Sequence, residues 1–172
     1  MMGSPSQTQH ARLFAFEQDF VDSLRCVPMA VRFKLDRVGI KLTLRQWSRL
    51  TRQDRQELLL SPCSSDREVA RWRALLETLV ALRADEPIKP LPPIDDAPWE
   101  RVGEVPAAVA TFALSKGLTP PPLEAWRALA LLERYALVKL SREGHDNVNF
   151  APALREFGLG ALDVGTCEPV AC

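Results

Sequence analysis

The segment SDREVARWRALLETLVALR, residues 65–83, decides the fold class because it carries a complete helix signal. Ser65 and Glu68 have the spacing of a capping box, in which each side chain binds a free backbone N–H of the first turn. Apolar residues then recur at helical spacing and form one stripe, made of Val69, Trp72, Leu75, Leu76, Leu79 and Leu82. The pattern predicts an amphipathic helix with one face buried in a core.

Helical patterns continue along the rest of the chain, and no Asn-Gly or Asp-Gly hairpin turn occurs. The stretch from Leu123 to Leu140 is apolar on almost every side and predicts one long central helix, capped at Thr119 and ended at Gly144. Weaker helices are predicted at residues 14–24, after Thr43, after Thr51, at residues 105–115 and from Pro152. We therefore expect an all-α protein, a compact bundle of about six to eight helices.

Residues 28–39 are the ambiguous segment. Apolar side chains alternate with small or charged ones over residues 29–35, which is a strand period. Apolar residues from Val27 to Val38 also fall at helical spacing, Pro28 suits a first turn, and Gly39 can end a helix. We favour a helix.

The segment ADEPIKPLPPIDDAP, residues 84–98, has five prolines in fifteen residues. Such a composition predicts extended, polyproline-like chain without helix. It is either a linker between two subdomains or a strap across one bundle, and we favour the strap. The resulting organisation is a single helical domain over residues 13–160, between a disordered start at 1–12 and a flexible tail at 161–172.

The formal net charge of zero hides an asymmetry between the two parts of the chain. Through Arg83 there are 14 Lys and Arg against 9 Asp and Glu, and the remainder has 8 against 13. The N-terminus lacks the basic and apolar regions of a signal peptide, and no apolar run is long enough to span a membrane. We expect a soluble cytoplasmic protein with free thiols and no membrane partner.

No phosphate-binding glycine loop, GxSxG elbow or HExxH motif occurs, so we expect neither an enzyme nor a cofactor. His145, in the turn GHDN, is the candidate general base, but polar turn residues commonly serve only the backbone. Cys26 and Cys63 each precede a predicted helix start, where a thiol pKa can fall. Free cysteines are also among the most buried residue types, so we favour buried, inert thiols. Cys26, Cys63 and His145 would form a metal site only if folding brought them together.

The segment at residues 25–55 is strongly basic, with nine Lys or Arg against two acids. It loosely resembles a helix-turn-helix, but the turn glycine is missing and the pI is about 6.7, so an acidic protein is favoured over nucleic acid as partner. Trp99 is a further possible apolar anchor. The candidate partner-binding residues are Arg32, Lys34, Arg45, Trp47, Arg49 and Arg52.

Two blocks resemble a known family. FAFEQDFVDSLRCVPMAVRFKLDRVGIKLTLRQWSRL followed by LLLSPC, and WRALALLERYALVKLSREGHDNVNFAPALREFGL, are similar to the opening and C-terminal blocks of the nitrate-reductase-associated protein family. The resemblance implies a small soluble protein that supports the activity or maturation of assimilatory nitrate reductase, a molybdenum and iron–sulfur enzyme. It supplies no catalytic residue, although Cys26, Cys63, His145, Asp146 and Asn149 lie within the similar blocks.

We therefore expect a non-catalytic accessory or maturation factor that binds nitrate reductase. One alternative is a thiol-based protein that handles a metal or an iron–sulfur cluster for cofactor delivery, through Cys26, Cys63 and His145. The other is a regulator that binds nucleic acid through the basic segment at 25–55.

Overall fold

The computed structural model describes residues 10–18, 24–92, 94–142 and 148–159. Within these ranges the only strands are β1 (Ile40–Lys41) and β2 (Lys89–Pro90), which pair antiparallel with Ile40 opposite Pro90. A short 3-10 turn, Ala15–Glu17, precedes the α-helices. These are α1 (Met29–Val38), α2 (Leu44–Arg49), α3 (Arg52–Leu60), α4 (Asp66–Arg83), α5 (Ala107–Ser115), α6 (Leu123–Ala128), α7 (Leu131–Leu140) and α8 (Phe150–Glu156). The all-α class is confirmed.

The chain divides into two compact units, Met1–Ala97 and Pro98–Cys172. In the first unit α4 packs against α1, α2 and α3, and the enclosed core includes Val31, Trp47, Leu58, Trp72 and Leu76. In the second unit α7 packs against α5 and α8, and its buried side chains include Val109, Trp126, Tyr135, Leu137 and Phe150. None of the helices within the described ranges has the length and apolar composition that a membrane crossing needs.

Helix starts in the first unit follow the predicted capping signals. The Ser65 and Glu68 capping box opens α4, and Thr43 and Thr51 open α2 and α3 with the same reciprocal bonds. The ambiguous segment is a helix, as predicted, because Gly39 ends it with φ of 67° and donates its N–H to carbonyls of the last turn.

The prediction of one long helix from Leu123 to Leu140 is wrong. The chain breaks at Leu129–Ala130 into α6 and α7, and side chains of the second helix stabilise the break. The Glu133 carboxylate accepts the Ala130 N–H at 2.8 Å, and the buried Arg134 guanidinium donates to the Leu129 carbonyl. The charged residues Glu133 and Arg134, inside an apolar run, therefore lie at the start of a second helix rather than in the middle of one long helix.

Other predicted segments are described only in part. The predicted helix at 14–24 is described only in part: its described residues contain the short turn Ala15–Glu17, and residues 19–23 lie outside the described ranges. Gly144, His145 and Asp146 also lie outside those ranges. The described residues between 84 and 98 carry no helix, as predicted. The strap, the single domain and the two flexible ends stay predictions.

Candidate docking surface

Three exposed arginines lie close together in the sequence on the second and third helices. Arg45 and Arg49 are one turn apart on α2, and Arg52 opens α3 directly after the Thr51 cap. All three side chains are exposed. We call Arg45, Arg49 and Arg52 the arginine surface.

The described part of the chain only partly neutralises the arginine surface. Arg45 pairs with Glu86 at 3.1 Å, with 66% and 46% of the two side chains exposed. Arg49 and Arg52 form no ion pair with any residue in the described ranges. An ion pair this exposed contributes at most about 1 kcal/mol, since water screens both charges. All three guanidinium groups are therefore accessible to a partner's carboxylates.

A shallow cleft runs beside this surface, lined by Arg45, Gln46, Arg49 and Ala84–Glu86. Its volume of about 10 Å³ holds about one water molecule, so it has no room for a metabolite. Gln46 is buried, and its Nε2 donates to the carbonyl oxygens of Glu86 at 3.1 Å and Pro87 at 3.2 Å. The beginning of the proline-rich segment is thereby fixed at the edge of the cleft.

Buried polar contacts hold the arginine surface in place. Trp47 is fully buried and donates its indole N–H to the Leu24 carbonyl at 2.7 Å. Arg55 lies over the Trp47 ring and donates to the carbonyls of Leu24, Trp47 and Ser48. Because Arg55 of α3 binds carbonyls of α2, the turn that presents Arg49 and Arg52 is rigidly placed.

The other predicted partner-binding residues are placed differently. Trp47 lies in the core and does not reach the surface, and the suggested second anchor, Trp99, is also buried, against Tyr135. Arg32 is exposed on α1, where its Nε donates to the Val27 carbonyl at 3.0 Å. The side chains suited to a partner are therefore arginines, without the tryptophan anchors that the sequence suggested.

Lys34 is buried, with 1% of its surface exposed. Its Nζ donates to the carbonyl oxygens of Leu58 at 3.2 Å, Leu59 at 2.6 Å and Ser61 at 2.8 Å, so an ammonium group caps the C-terminus of α3. Burial lowers the pKa of Lys34 to about 8, against a smaller opposite effect of Cys63. Lys34 therefore acts inside the unit and is absent from the docking surface.

The sequence held a signal for this burial. Lys34 lies three residues after Val31 and four before Val38, on the same apolar helix face. A lysine within an apolar stripe indicates an internal cap or a buried ion pair.

Cys63 and His10 lie beside Lys34. Cys63 is buried, and burial raises the pKa of its thiol, against the opposing fields of Lys34 and Arg37. The ring of His10 lies within hydrogen-bonding distance of the Ser64 hydroxyl, and burial, followed by the charge of Lys34, lowers the pKa of His10. At neutral pH the buried Cys63 is therefore a protonated thiol.

Cys26 is half-buried rather than buried. In the described ranges no three His, Cys, Asp or Glu side chains are grouped so that they could hold a metal ion. Since His145 lies outside those ranges, the alternative in which Cys26, Cys63 and His145 form a metal site is untested. Asn149 precedes α8 at its N-cap position, where its side chain makes no capping bond.

Comparison with known proteins places these features in one family. The family model described as conserved nitrate reductase-associated protein matches residues 13–157. No curated protein and no solved structure matches the chain. The matched range includes the arginine surface, Lys34 and Cys63, and it covers most of the 172 residues. The chain belongs to the family of conserved nitrate reductase-associated proteins.

Proposed function

We propose that this protein is a non-catalytic accessory factor that binds nitrate reductase and supports its activity or maturation. The family description supports an association with that enzyme. The proposed mode of binding is supported by the arginine surface, because Arg49 and Arg52 are exposed and form no ion pair within the described ranges. Exposed guanidinium groups suit carboxylates on a partner, because each can form two parallel hydrogen bonds to one carboxylate.

Binding of this kind depends on electrostatics. Complementary charges at the edge of an interface accelerate association and fix the orientation of the partner, and salt weakens both effects. We therefore expect the protein to approach an acidic region of nitrate reductase with α2 and the start of α3.

The buried ionisable groups at the C-terminus of α3 support a non-catalytic role. The Lys34 ammonium is saturated by three carbonyl bonds, and the Cys63 thiol has a raised pKa. A thiol that ligates a metal or attacks a substrate must first become a thiolate. Cys63 therefore lends no support to the alternative of thiol-based metal handling.

The test is a binding titration of the purified protein against purified nitrate reductase at low and at high salt. The double variant Arg49→Glu, Arg52→Glu is expected to lose about tenfold or more in affinity, because like charges then meet at the interface. The matched control is Arg67→Glu, Arg71→Glu on α4, which makes the same change of net charge at two exposed arginines without ion pairs to described residues.

A deletion strain provides the cellular measurement. Reductase activity in extracts should fall when the gene for this protein is removed, and it should return with the wild-type copy but not with the Arg49→Glu, Arg52→Glu copy. Absence of any association at low salt, together with unchanged activity in the deletion strain, would remove the proposal.

A further inference from the structure

The chain already holds an acidic extended segment against its own α2. The Glu86 carboxylate pairs with Arg45 at 3.1 Å, while the backbone carbonyls of Glu86 and Pro87 accept both hydrogen bonds from Gln46. Immediately beyond, β2 pairs with β1 and keeps the segment extended. Thus α2 binds a carboxylate and the adjoining backbone of an extended chain at the same time.

Within the described part of the chain, this internal contact pairs one of the three arginines with a carboxylate. Glu86 pairs with Arg45, whereas Arg49 and Arg52 have no carboxylate in the described part of the chain. The Arg45–Glu86 pair is exposed, so replacing its carboxylate with another costs little free energy. The two Gln46 bonds lie in a buried position and bind backbone atoms, so they persist when the Glu86 side chain moves away.

We propose that the arginine surface takes an extended acidic segment of a partner protein, and that Glu86 is an internal competitor for that segment. The inference rests on the proposed function and names the chemistry of the partner element. Three arginines match a few separate carboxylates, whereas tight binding to duplex DNA draws on roughly six to ten phosphate contacts.

If Glu86 is an internal competitor, loss of the Arg45–Glu86 ion pair should strengthen binding of the acidic segment. Glu86→Gln removes the competing charge and leaves the backbone carbonyls that Gln46 binds. Its effect is expected to be an affinity about 2- to 5-fold higher, the range that an exposed ion pair supplies. The matched control is Glu77→Gln, which breaks an exposed pair of the same 3.1 Å length, with Arg73 on α4, and should leave the affinity unchanged.

The experiment uses the full chain and a synthetic peptide with the sequence ADEPIKP, residues 84–90, blocked at both ends. NMR titration at low salt, followed on the arginine side-chain signals, measures even millimolar affinities. We expect the Glu86→Gln protein to bind the peptide more tightly than the wild type, with shifts at Arg45 and Arg49. A peptide with Asn and Gln in place of its acids should bind neither protein, and Arg49→Glu in the Glu86→Gln background should abolish binding.

Three results would overturn the inference. The wild type and Glu86→Gln bind the acidic peptide with equal affinity, the neutral peptide binds as well as the acidic one, or neither protein binds at millimolar peptide. A labelled DNA duplex that binds more tightly than the acidic peptide would also overturn it. Parallel titrations with nitrate reductase separate the two proposals. If the reductase binds but Glu86→Gln changes nothing, the docking role stands and the competitor is rejected. If the peptide behaves as expected and the reductase does not bind, the surface chemistry stands and the proposed function is rejected.

Discussion

Replacing Lys34 by methionine removes a buried ammonium group and keeps an unbranched apolar side chain. The carbonyl oxygens of Leu59 and Ser61 then lose the lysine as their donor. The Leu58 carbonyl keeps a partner, because the Trp72 indole N–H also donates to it at 2.9 Å. The variant therefore tests how an internal charge stabilises the end of α3.

Two opposing contributions set the effect on the free energy of unfolding. Two carbonyls without their donor cost about 1–3 kcal/mol each, about 2–6 kcal/mol in total. Methionine also avoids the desolvation of a charge, and the fall of the Lys34 pKa from 10.5 to about 8 corresponds to about 3 kcal/mol. At pH 7 we therefore expect Lys34→Met to change the free energy of unfolding by an amount between a gain of about 1 kcal/mol and a loss of about 3 kcal/mol.

The pH dependence separates these contributions. The pKa of Lys34 is lower in the folded chain, so between pH 8 and 10.5 the unfolded chain binds more protons and folding stability rises with pH. Relative to Lys34→Met, the wild-type side chain should therefore gain up to about 3 kcal/mol as pH rises through this window. Urea unfolding, followed by the fluorescence of the buried Trp47 and Trp72, measures the difference at each pH. Both proteins should carry Cys63→Ala, so that the thiol does not titrate.

If the difference in free energy of unfolding between the wild-type and Lys34→Met proteins stays constant from pH 7 to 10, the reasoning is refuted. Such a result would mean that Lys34 has the same pKa in the folded and the unfolded chain. A difference that moves against the wild type as pH rises would refute it more strongly. Lys89→Met, at an exposed lysine of β2, is the control for the loss of a lysine charge at the surface.

Three further substitutions test contacts that stabilise the fold. Gly39→Ala should lower the free energy of unfolding, measured in urea, by about 1 kcal/mol, because φ is 67° at this position. Gly103→Ala, with open space around it and no positive φ, should be near neutral, and equal effects of the two substitutions would contradict a left-handed helix end at Gly39. Arg134→Met should cost about 3 kcal/mol, because two buried carbonyls lose their donor, and an unchanged unfolding midpoint would contradict this. Glu17→Ala should lower stability by about 1 kcal/mol, because its carboxylate accepts the Met29 N–H at 2.7 Å at the start of α1; a loss within error of zero would count against that cap.

Local signals in the sequence predicted the starts of α2, α3 and α4 well. The hydrogen bonds that cap α3 and α4 join residues three positions apart, Thr51 with Asp54 and Ser65 with Glu68. Such capping pairs can be recognised from sequence spacing without any tertiary information. The end of α1 at Gly39 is equally local, since a left-handed residue favours glycine.

The hydrogen-bond partners of several buried side chains were beyond sequence reasoning because they lie far along the chain. Lys34 is an internal cap because the carbonyls at the end of α3 reach it from 24 and more positions along the chain. Arg134, which donates to the Leu129 carbonyl at the break between α6 and α7, also donates to the Trp99 carbonyl, 35 positions away. Arg49 and Arg52 were named as partner-binding candidates together with Lys34 and Trp47, and only the folded chain shows that the first two are exposed and the other two are buried.

The affinity of purified nitrate reductase for two double variants tests the docking surface most directly. Arg49→Glu, Arg52→Glu should bind at least about tenfold more weakly than Arg67→Glu, Arg71→Glu at low salt, and the gap should narrow as salt rises. Equal affinities of the two variants at every salt concentration would contradict docking through the arginine surface.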